Sequence, residues 1–443
     1  MKTKKVLAVV LAVLLAASFL IGCGNNGNGA ADGGNGGGAV EEVELTFMGW
    51  EASPLETDAV REGIRIFEER NPGITVQYTP GLAGAEYNAR LIAMAASNTL
   101  PDVMFVGADT YRTFVNRGML LNITERFDAE FPLDDFIQSS REIMSIDGQI
   151  YGISSCTVSP IVYFNKDVFD AAGVPHPSSD PANAWTIDEF REVARQLTTD
   201  EIFGVYGMEL HWLAINAFIL SNGGRRYNDD FTQSLMYSPE AMEVLEIIRA
   251  IRVEDGSAPT QSTLEAVGMN PSQMLQTGRV AMLVDGSWAL QELSQTDLNF
   301  GMAPLPHFGI VQTTGQAHLH AISANTDHPE AAWKFLQFLA GMEYQGELVR
   351  QGLWMPNRIS MYDADQVELW YDYDVHGDSI RLMLDYFKNA ATDPSALQKS
   401  AQASDIVMEE LDMFFLEGAD LRTALQNIDR RIDEVIQEVL DDR

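Results

Sequence analysis

The feature that most constrains the fold is the alternation of strand and helix patterns along the first third of the chain. Residues 43–47 and 74–78 alternate apolar with polar side chains, and each is followed by a segment with apolar residues at helical spacing. A third apolar run, residues 103–106, ends at Gly107. Strands that alternate with helices predict an α/β fold with a largely parallel sheet.

Length, charge and cysteine content limit the possible classes of protein. The 443 residues exceed one typical domain and suit two. A net charge of −35 argues against a nucleic-acid partner, because binding phosphates needs clustered Lys and Arg. The two cysteines, Cys23 and Cys156, cannot form a disulfide framework. We expect Cys156 to be a small buried residue rather than a nucleophile.

The amino terminus is typical of an exported protein. Three lysines within residues 1–5 precede an apolar stretch that is short for a membrane span, so residues 1–22 are predicted to be a secretory signal peptide. The sequence Leu-Ile-Gly-Cys at 20–23 resembles a bacterial lipobox, which implies cleavage before Cys23 and a lipid on its sulfur. Residues 23–42, rich in Gly and Asn, are predicted to be a flexible tether. The expected location is extracellular, at the outer face of the cell membrane.

Residues 276–288 combine a buried strand with a candidate ligand-binding end. Val280–Val284 is a short apolar run, and residues 285–287 (Asp-Gly-Ser) close it with turn chemistry. In open α/β sheets, ligands bind beyond the carboxyl ends of the strands. Trp288 and Asp285 are therefore candidate ligand-binding residues. The alternative for Trp288 is ordinary core packing over the strand end.

Two earlier strand ends carry similar side chains. Trp50 and Glu51 follow the first strand and Asp109 follows the third, so all three are expected at one sheet edge. Carboxylates accept hydrogen bonds from sugar hydroxyls, and an aromatic face suits the C–H side of a sugar ring. The alternative for Asp109 is a helix N-cap.

Several motifs, in order, resemble one family. They are DGQIYGI at 147–153, IVYFNKDVFDAAGVP at 161–175, WTIDEF at 185–190, GRVAM at 278–282 before Gly-x-Trp, and HPEAAWKFLQF at 328–338. Together they resemble the carbohydrate-type extracellular solute-binding proteins of bacterial ABC importers, the group that includes maltose-binding protein. The resemblance runs from about Val43 to about Pro356, with Ser154 standing where the family usually has a proline nearby.

This resemblance implies a two-lobed, periplasmic-binding-protein-like fold of type II, with discontinuous lobes, a hinge and a ligand cleft between the lobes. The implied N-terminal lobe comprises residues 43–158 and 306–347, and the C-terminal lobe residues 159–305 and 348–443. The implied ligand is a small carbohydrate and the implied partner is the transmembrane permease of an ABC transporter. No catalysis, cofactor or metal is implied, and a monomer is expected.

The resemblance adds three site candidates: Trp212, with His211 or Glu209 as a polar partner, His318, and Trp354. The alternative for Trp212 is that it lies on a helix and packs inward. The alternative for Trp354 is that it packs between the lobes. His318 and His320 would share a strand face, but a zinc site needs a third ligand, which the sequence does not offer.

Two other functions stay open at this stage. A polyamine binder of the same fold would use Glu51 and Asp109 with the tryptophans. A secreted glycan hydrolase would use two carboxylates. The chain contains no Gly-rich phosphate loop, no His-Glu-x-x-His and no Gly-x-Ser-x-Gly.

Overall fold

The computed structural model describes residues 42–51, 53–82, 85–209, 212–392 and 401–441. The predicted signal peptide, Cys23 and nearly all of the predicted tether lie outside the described residues.

The strands of the described part are short and belong to two larger sheets and one two-stranded ribbon. They are β1 (Val43–Glu51), β2 (Ile74–Leu82), β3 (Val103–Val106), β4 (Ser145–Ile146), β5 (Gln149–Ile150), β6 (Gly152–Val158), β7 (Pro160–Asn165), β8 (Phe203–Tyr206), β9 (Val280–Gly286), β10 (Phe300–Ala303), β11 (Thr314–Ile322) and β12 (Ala391–Thr392).

The helices of the described part surround these sheets. They are α1 (Pro54–Arg70), α2 (Ala85–Ala96), α3 (Ala108–Asn116), α4 (Gln138–Met144), α5 (Lys166–Ala172), α6 (Ile187–Leu197), α7 (Trp212–Ser221), α8 (Pro239–Val253), α9 (Gln261–Val267), α10 (Pro271–Gln276), α11 (Ala289–Ser294), α12 (Pro329–Leu339), α13 (Met342–Arg350), α14 (Tyr373–His376), α15 (Ala401–Glu417) and α16 (Leu421–Asp441).

The first sheet has the order β12-β11-β3-β1-β2, with β6 paired to β11. β1 runs parallel to β2 and β3, as predicted, and helices connect these three strands. β11 is parallel to β12 but antiparallel to both β3 and β6, so three of the five strand pairs in this sheet are parallel and two are not. The periodicity of a single strand does not reveal its direction, because direction depends on which distant strand it pairs with.

The second sheet has the order β10-β7-β9-β8. β7 is antiparallel to its neighbours β9 and β10, whereas β8 and β9 are parallel. The single residue Ser159 separates β6 of the first sheet from β7 of the second, so the chain passes directly from one sheet to the other.

Each sheet has its own hydrophobic core, and a third cluster lies beside the second sheet. The first core contains Phe47 and Phe105 of the first sheet together with Phe335 of α12. The second core contains Met282 of β9 and Phe218 of α7, and extends over α15 and α16. The third cluster joins Leu283 of β9 to residues 349–387.

Local features expected from the sequence are present in most helices. α1 buries the predicted apolar face, and α6 begins with a capping box between Thr186 and Glu189, which have the Thr-x-x-Glu spacing of a helix start. The carboxy-terminal apolar repeat forms α16, whose residues Leu425, Ile428 and Ile432 are buried in the second core. Cys156 is buried in β6, as expected for a small apolar residue.

Hydrogen bonds tie the two sheets together at three of the described places where the chain passes between them. At Ser159, the carbonyl accepts the N–H of Ser287 at 2.9 Å. Between β10 and β11, the Tyr386 hydroxyl accepts the N–H of Leu305 at 3.2 Å and donates to the carbonyl of Gln312 at 2.9 Å. In the third crossing, Met355 and Thr157 exchange two backbone hydrogen bonds of 2.9 and 3.0 Å.

The region after α13 contributes to both sheets. Leu353 and Trp354 belong to the first core, and β12 pairs with β11 of the first sheet. The intervening Trp370 is fully buried in the third cluster, where its indole N–H donates to the carbonyl of Met361 at 2.7 Å.

Among the described residues, none of the helices combines the length and the apolarity needed to cross a bilayer.

The close contact between β8 and α6 predicts that any side chain larger than hydrogen at Gly204 destabilises the protein. A Cβ added to Gly204 would lie 2.0 Å from the carbonyl oxygen of Ala194, so the two backbones would have to separate. We expect Gly204→Ala to lower the free energy of unfolding by about 1–3 kcal/mol, the usual cost of overpacking a core. Urea unfolding measures the change.

Gly309→Ala is the matched control for this substitution. The nearest atom to its added Cβ, the carbonyl oxygen of Ser221, is 3.7 Å away, which is an ordinary contact. Equal effects of the two substitutions on the urea midpoint would contradict the close approach of β8 and α6.

Candidate ligand-binding cleft

A cavity of about 360 Å³ lies at the strand ends of the first sheet and reaches the segment that follows β9. This volume is within the range of small-molecule sites, roughly 300–1,000 Å³. The described residues that line it are Trp50, Glu56, Asn88, Phe105, Gly107, Ala108, Val158, Trp288, Gln316, Ala317, His318 and Trp354.

One aromatic wall is formed by Trp50 and Phe105. The strand prediction ended before Trp50, but β1 continues to Glu51 because its pairing with β2 continues to Leu82. The Trp50 ring lies 5.1 Å from Phe105 and 5.3 Å from Tyr87, measured between centroids. The Tyr87 hydroxyl donates to the Phe105 carbonyl at 2.9 Å, so this wall is fixed by both packing and hydrogen bonding.

A second aromatic group consists of His318 on β11 and Trp354. Their ring centroids are 4.9 Å apart, and His318 is also 5.0 Å from Phe105 in an edge-to-face arrangement. Trp354 is 4 % exposed and has a φ of +61°, a left-handed conformation that is unusual for a large side chain. Trp354 both belongs to the first core and lines the cavity.

Trp288 approaches the same cavity from the other sheet. It follows β9 directly and packs against both the first core and the third cluster. Its ring lies over Gly286, where an added Cβ would be 2.2 Å from the indole. Only glycine leaves room for the ring in this position. Both predictions for Trp288, core packing and a place at the cavity, therefore describe part of its environment.

Asp285 does not join this group. The expected turn at 285–287 begins later than predicted, because β9 pairs with β7 through Asp285 and Gly286. Asp285 is 6 % exposed, its Oδ1 accepts the N–H of Gly286 at 2.7 Å, and it is not among the described residues that line the cavity. Burial raises the pKa of the Tyr163 hydroxyl, and the charge of Asp285 raises it further.

The structure describes the backbone of Glu51, Asp109 and Trp212 but not their side chains. Glu51 ends β1 and Trp212 begins α7, so the strand-end position predicted for Trp212 is replaced by a helix start. Asp109 is the second residue of α3, and Gly107 occupies the N-cap, so the N-cap alternative for Asp109 is wrong. Of the predicted partners of Trp212, His211 lies outside the described residues, and Glu209 pairs with Arg252.

Three polar residues of the cavity were missed by the sequence analysis. Glu56, in the first turn of α1, is 3 % exposed, and its N–H donates to the N-cap oxygen of Ser53 at 3.1 Å. Asn88 lies on α2, and its buried Oδ1 has no hydrogen-bond partner among the described residues. Gln316 precedes His318 by two positions on β11 and so shares its face of the strand.

The sequence contained a signal for Glu56. Ser53 and Glu56 have the Ser-x-x-Glu spacing of a helix start, a signal that the sequence analysis did not use. The spacing of Gln316 and His318 was also visible, whereas nothing distinguished Asn88 from other polar helix residues.

Charge and metal-binding capacity of the cavity are limited. Burial lowers the pKa of His318 from 6.5 to about 4, so the imidazole is neutral at physiological pH. Burial likewise lowers the pKa of His320, to about 3. Within the described ranges, no group of three His, Cys, Asp or Glu residues could hold a metal ion.

A hydrogen bond links the rim of the cavity to the neighbouring helix. The Ser53 hydroxyl donates to the side-chain oxygen of Gln291 on α11 at 3.4 Å. Gln291 is buried, and an added Cβ at Gly352 would lie 3.1 Å from its backbone. The start of α1, α11 and the segment before Trp354 therefore meet closely on one side of the cavity.

Comparison with known proteins identifies the group to which this architecture belongs. The sequence profile of a family described as bacterial extracellular solute-binding protein matches residues 52–346. A maltooligosaccharide ABC transporter solute-binding lipoprotein of Streptococcus pneumoniae is 24% identical, over 78% of each chain. An sn-glycerol-3-phosphate-binding periplasmic protein of Agrobacterium fabrum is 25% identical, over 66% of this chain and 68% of that protein.

A solved structure has the same fold. The ABC substrate-binding protein from Listeria monocytogenes in complex with cycloalternan superposes with a TM-score of 0.78 and 22% identity, over 90% of this chain and 100% of that one. The fold is thus the two-lobed type II arrangement that the sequence predicts, and the cavity lies at the strand ends of the first sheet.

The depressed pKa of His318 predicts loss of stability in acid. The unfolded chain binds a proton at this residue near pH 6.5, whereas the folded chain binds it only near pH 4, so stability falls as the pH drops through this window. Between pH 7 and 5 the contribution is on the order of 1–2 kcal/mol. We expect His318→Asn to lose less stability than the wild type between these two pH values in urea unfolding.

His176→Asn is the matched control, because His176 is exposed on the surface. This variant keeps His318 and should therefore still lose stability between pH 7 and 5. A His318→Asn protein with an unchanged pH dependence would contradict a neutral, buried imidazole.

Proposed function

We propose that this chain, which belongs to the family of bacterial extracellular solute-binding proteins, captures a sugar or oligosaccharide in the cavity and delivers it to the membrane permease of an ABC importer. In this class, ligand binding between two lobes stabilises a closed form by hinge motion. The closed form then docks to the permease.

The observation that carries this proposal is the composition of the cavity wall. Trp50, Trp288 and Trp354 bring flat apolar rings to one cavity that also contains the amides of Asn88 and Gln316. A sugar ring has an apolar C–H face and a rim of hydroxyls. Stacking and hydrogen bonding to one ligand therefore need this mixture of lining groups. The relatives that are named for maltooligosaccharide or cycloalternan support the same ligand class.

Within this proposal, the three tryptophans stack on the ligand and His318 binds a hydroxyl. Glu51, Asp109 and Trp212 remain proposed ligand-binding residues on the basis of their strand-end or helix-start positions. Asp285 is better explained as a structural residue of β9, because it is buried and bonds to its own strand.

We propose the lobe boundaries predicted from the sequence, residues 43–158 with 306–347 and residues 159–305 with 348–443. The two separate cores and the crossing at Ser159 support them. Residues 353–354 and 391–392 associate with the first sheet, so the carboxy-terminal segment spans both lobes in this proposal.

The proposed protein performs no chemistry on its ligand and needs no cofactor. A glycosidase needs two carboxyl groups about 5–9.5 Å apart. The match to a family of solute-binding proteins favours binding over hydrolysis.

A polyamine is the second candidate ligand, and one observation favours it. An ammonium group is attracted to the faces of tryptophan rings and to a carboxylate, and the cavity contains both, the latter as Glu56. The first binding experiment therefore includes spermidine.

We further propose that the protein is a monomeric lipoprotein at the outer face of the cell membrane. The signal peptide would be residues 1–22, the lipid would be attached to Cys23, and residues 23–42 would be the tether. A relative from Streptococcus pneumoniae that is named as a lipoprotein supports this assignment.

Ligand binding to the folded state raises the thermal midpoint of unfolding, by an amount equivalent to roughly 2.7 kcal/mol when the free ligand is at about 100 times its Kd. We expect this shift with at least one sugar from a panel of glucose, tagatose, maltose, maltotriose and cycloalternan. Trp288→Ala should weaken the binding of that sugar by at least about tenfold, or 1.4 kcal/mol. Differential scanning fluorimetry and calorimetric titration of the purified protein measure both effects.

Trp185→Ala is the control, because Trp185 packs against the second core and is not among the described residues that line the cavity. This variant should retain the sugar-induced shift. A shift with spermidine alone would replace the sugar with a polyamine, and release of sugar fragments on incubation would overturn the binding function.

Lipid attachment predicts where the protein is found in the cell. Cys23→Ser removes the proposed attachment site, so we expect the protein to appear in the medium or periplasm rather than in the membrane pellet. Immunoblotting of the fractions measures this distribution, and Cys156→Ser should leave it unchanged because Cys156 is buried in β6. A Cys23→Ser protein that stays in the membrane pellet would contradict the lipid anchor.

A further inference from the structure

The chemical diversity of the family raises the question of which ligands this cavity excludes. Among the relatives, one is named for a neutral oligosaccharide and another for a phosphate ester. These two ligand classes differ by a full negative charge. The charge of the cavity wall therefore decides between them.

The charged side chain that the structure describes in the cavity wall is Glu56. The other polar side chains there are the neutral amides of Asn88 and Gln316 and the imidazole of His318. His318 adds no positive charge at neutral pH, because burial lowers its pKa to about 4. Lys and Arg are absent from the lining residues that are described. Phosphate recognition relies on cationic side chains or on free helix N-termini. The amino terminus of α3, at Gly107 and Ala108, lines the cavity without a side-chain cap, so the inference concerns the repulsion that Glu56 adds against this attraction.

The position of Glu56 on its helix strengthens this charge effect. The amino-terminal turn of α1 carries the positive end of the helix dipole, which on its own would attract an anion. Glu56 lies in this turn, and its N–H is already donated to Ser53. A carboxylate of the protein itself thus occupies the place at which an anionic ligand would otherwise gain stabilisation.

Glu56 is also too buried to be screened well by solvent. Glu56 is 3 % exposed. Burial raises the pKa of the Cys156 thiol, and the charge of Glu56 raises it further. Like charges a few ångströms apart repel strongly when the surroundings are less polar than water.

We propose that Glu56 sets the charge selectivity of the cleft: it accepts hydrogen bonds from the hydroxyls of a neutral ligand and excludes ligands that carry a phosphate or carboxylate. This inference rests on the proposed sugar-binding function and adds the class of sugar. Selectivity of this kind comes from a repulsive element against the wrong ligand as well as from contacts to the right one.

The test compares matched neutral and anionic probes. The neutral probes are glucose, tagatose, maltose and maltotriose; the anionic probes are glucuronic acid, glucose 6-phosphate, maltose 1-phosphate and sn-glycerol 3-phosphate. Calorimetric titration of the purified mature protein gives the ratio of the Kd for an anionic probe to that for its neutral counterpart. Glu56→Gln keeps the size and an oxygen acceptor but removes the charge, and we expect it to lower this ratio by roughly 10- to 100-fold.

Two further variants separate charge from structural effects. Glu56→Asp keeps the charge and should keep the high ratio, even where the shorter side chain weakens neutral binding. Glu62→Gln removes one exposed carboxylate from the same helix and should leave the ratio unchanged. The thermal midpoint of each variant without ligand confirms that it is folded.

The set of outcomes distinguishes a failure of this inference from a failure of the proposed function. A neutral sugar bound by the wild type, with a ratio that falls in Glu56→Gln only, supports both. A neutral sugar bound with the same ratio in Glu56→Gln and wild type overturns the role of Glu56 and leaves the sugar-binding function standing. Tight binding of sn-glycerol 3-phosphate by the wild type overturns the inference and the sugar assignment. If the wild type binds none of the probes, the inference and the sugar-binding function are both overturned.

Discussion

The cavity depends on the antiparallel placement of β11 between β3 and β6. Leu319 is in register with Val106 on one side and with Ser154 on the other. This pairing brings the start of β11, with Gln316 and His318, beside the end of β3 and the end of β6. Because the hydrogen bonds of two neighbours fix β11, the polar floor of the cavity is held by backbone rather than by side-chain contacts.

Close backbone approaches hold the aromatic walls in a similar way. The Tyr87 ring, which supports Trp50, lies where an added Cβ on Gly81 would be, 2.4 Å away. The Trp288 ring has the same relation to Gly286. Rings that lie directly on a strand backbone have few other positions available. The cavity is therefore shaped before a ligand arrives, which reduces the ordering that binding would require.

The sequence was sufficient for the fold class and for a third of the described lining residues of the cavity, Trp50, Trp288, His318 and Trp354. Trp50 and Trp288 were located by the strand patterns beside them, whereas His318 and Trp354 were located by the resemblance to the family. Asp285 failed this rule. Its turn-like neighbours hid the continued pairing of β9 with β7, which depends on a strand more than 100 positions away in the chain. Glu56 was overlooked because it lies in the first turn of a helix, and no local pattern shows that this turn lies at the cavity.

The left-handed backbone at Trp354 places two demands on one residue. A non-glycine residue in this conformation costs on the order of 1–3 kcal/mol, which the surrounding structure must offset. The paired backbone hydrogen bonds between Met355 and Thr157 and the tilted ring contact with His318 hold it in place. A glycine would relax the backbone but would also delete the ring that faces the cavity. At this position, conformational stability and molecular recognition are in direct conflict, so selection for one acts against the other.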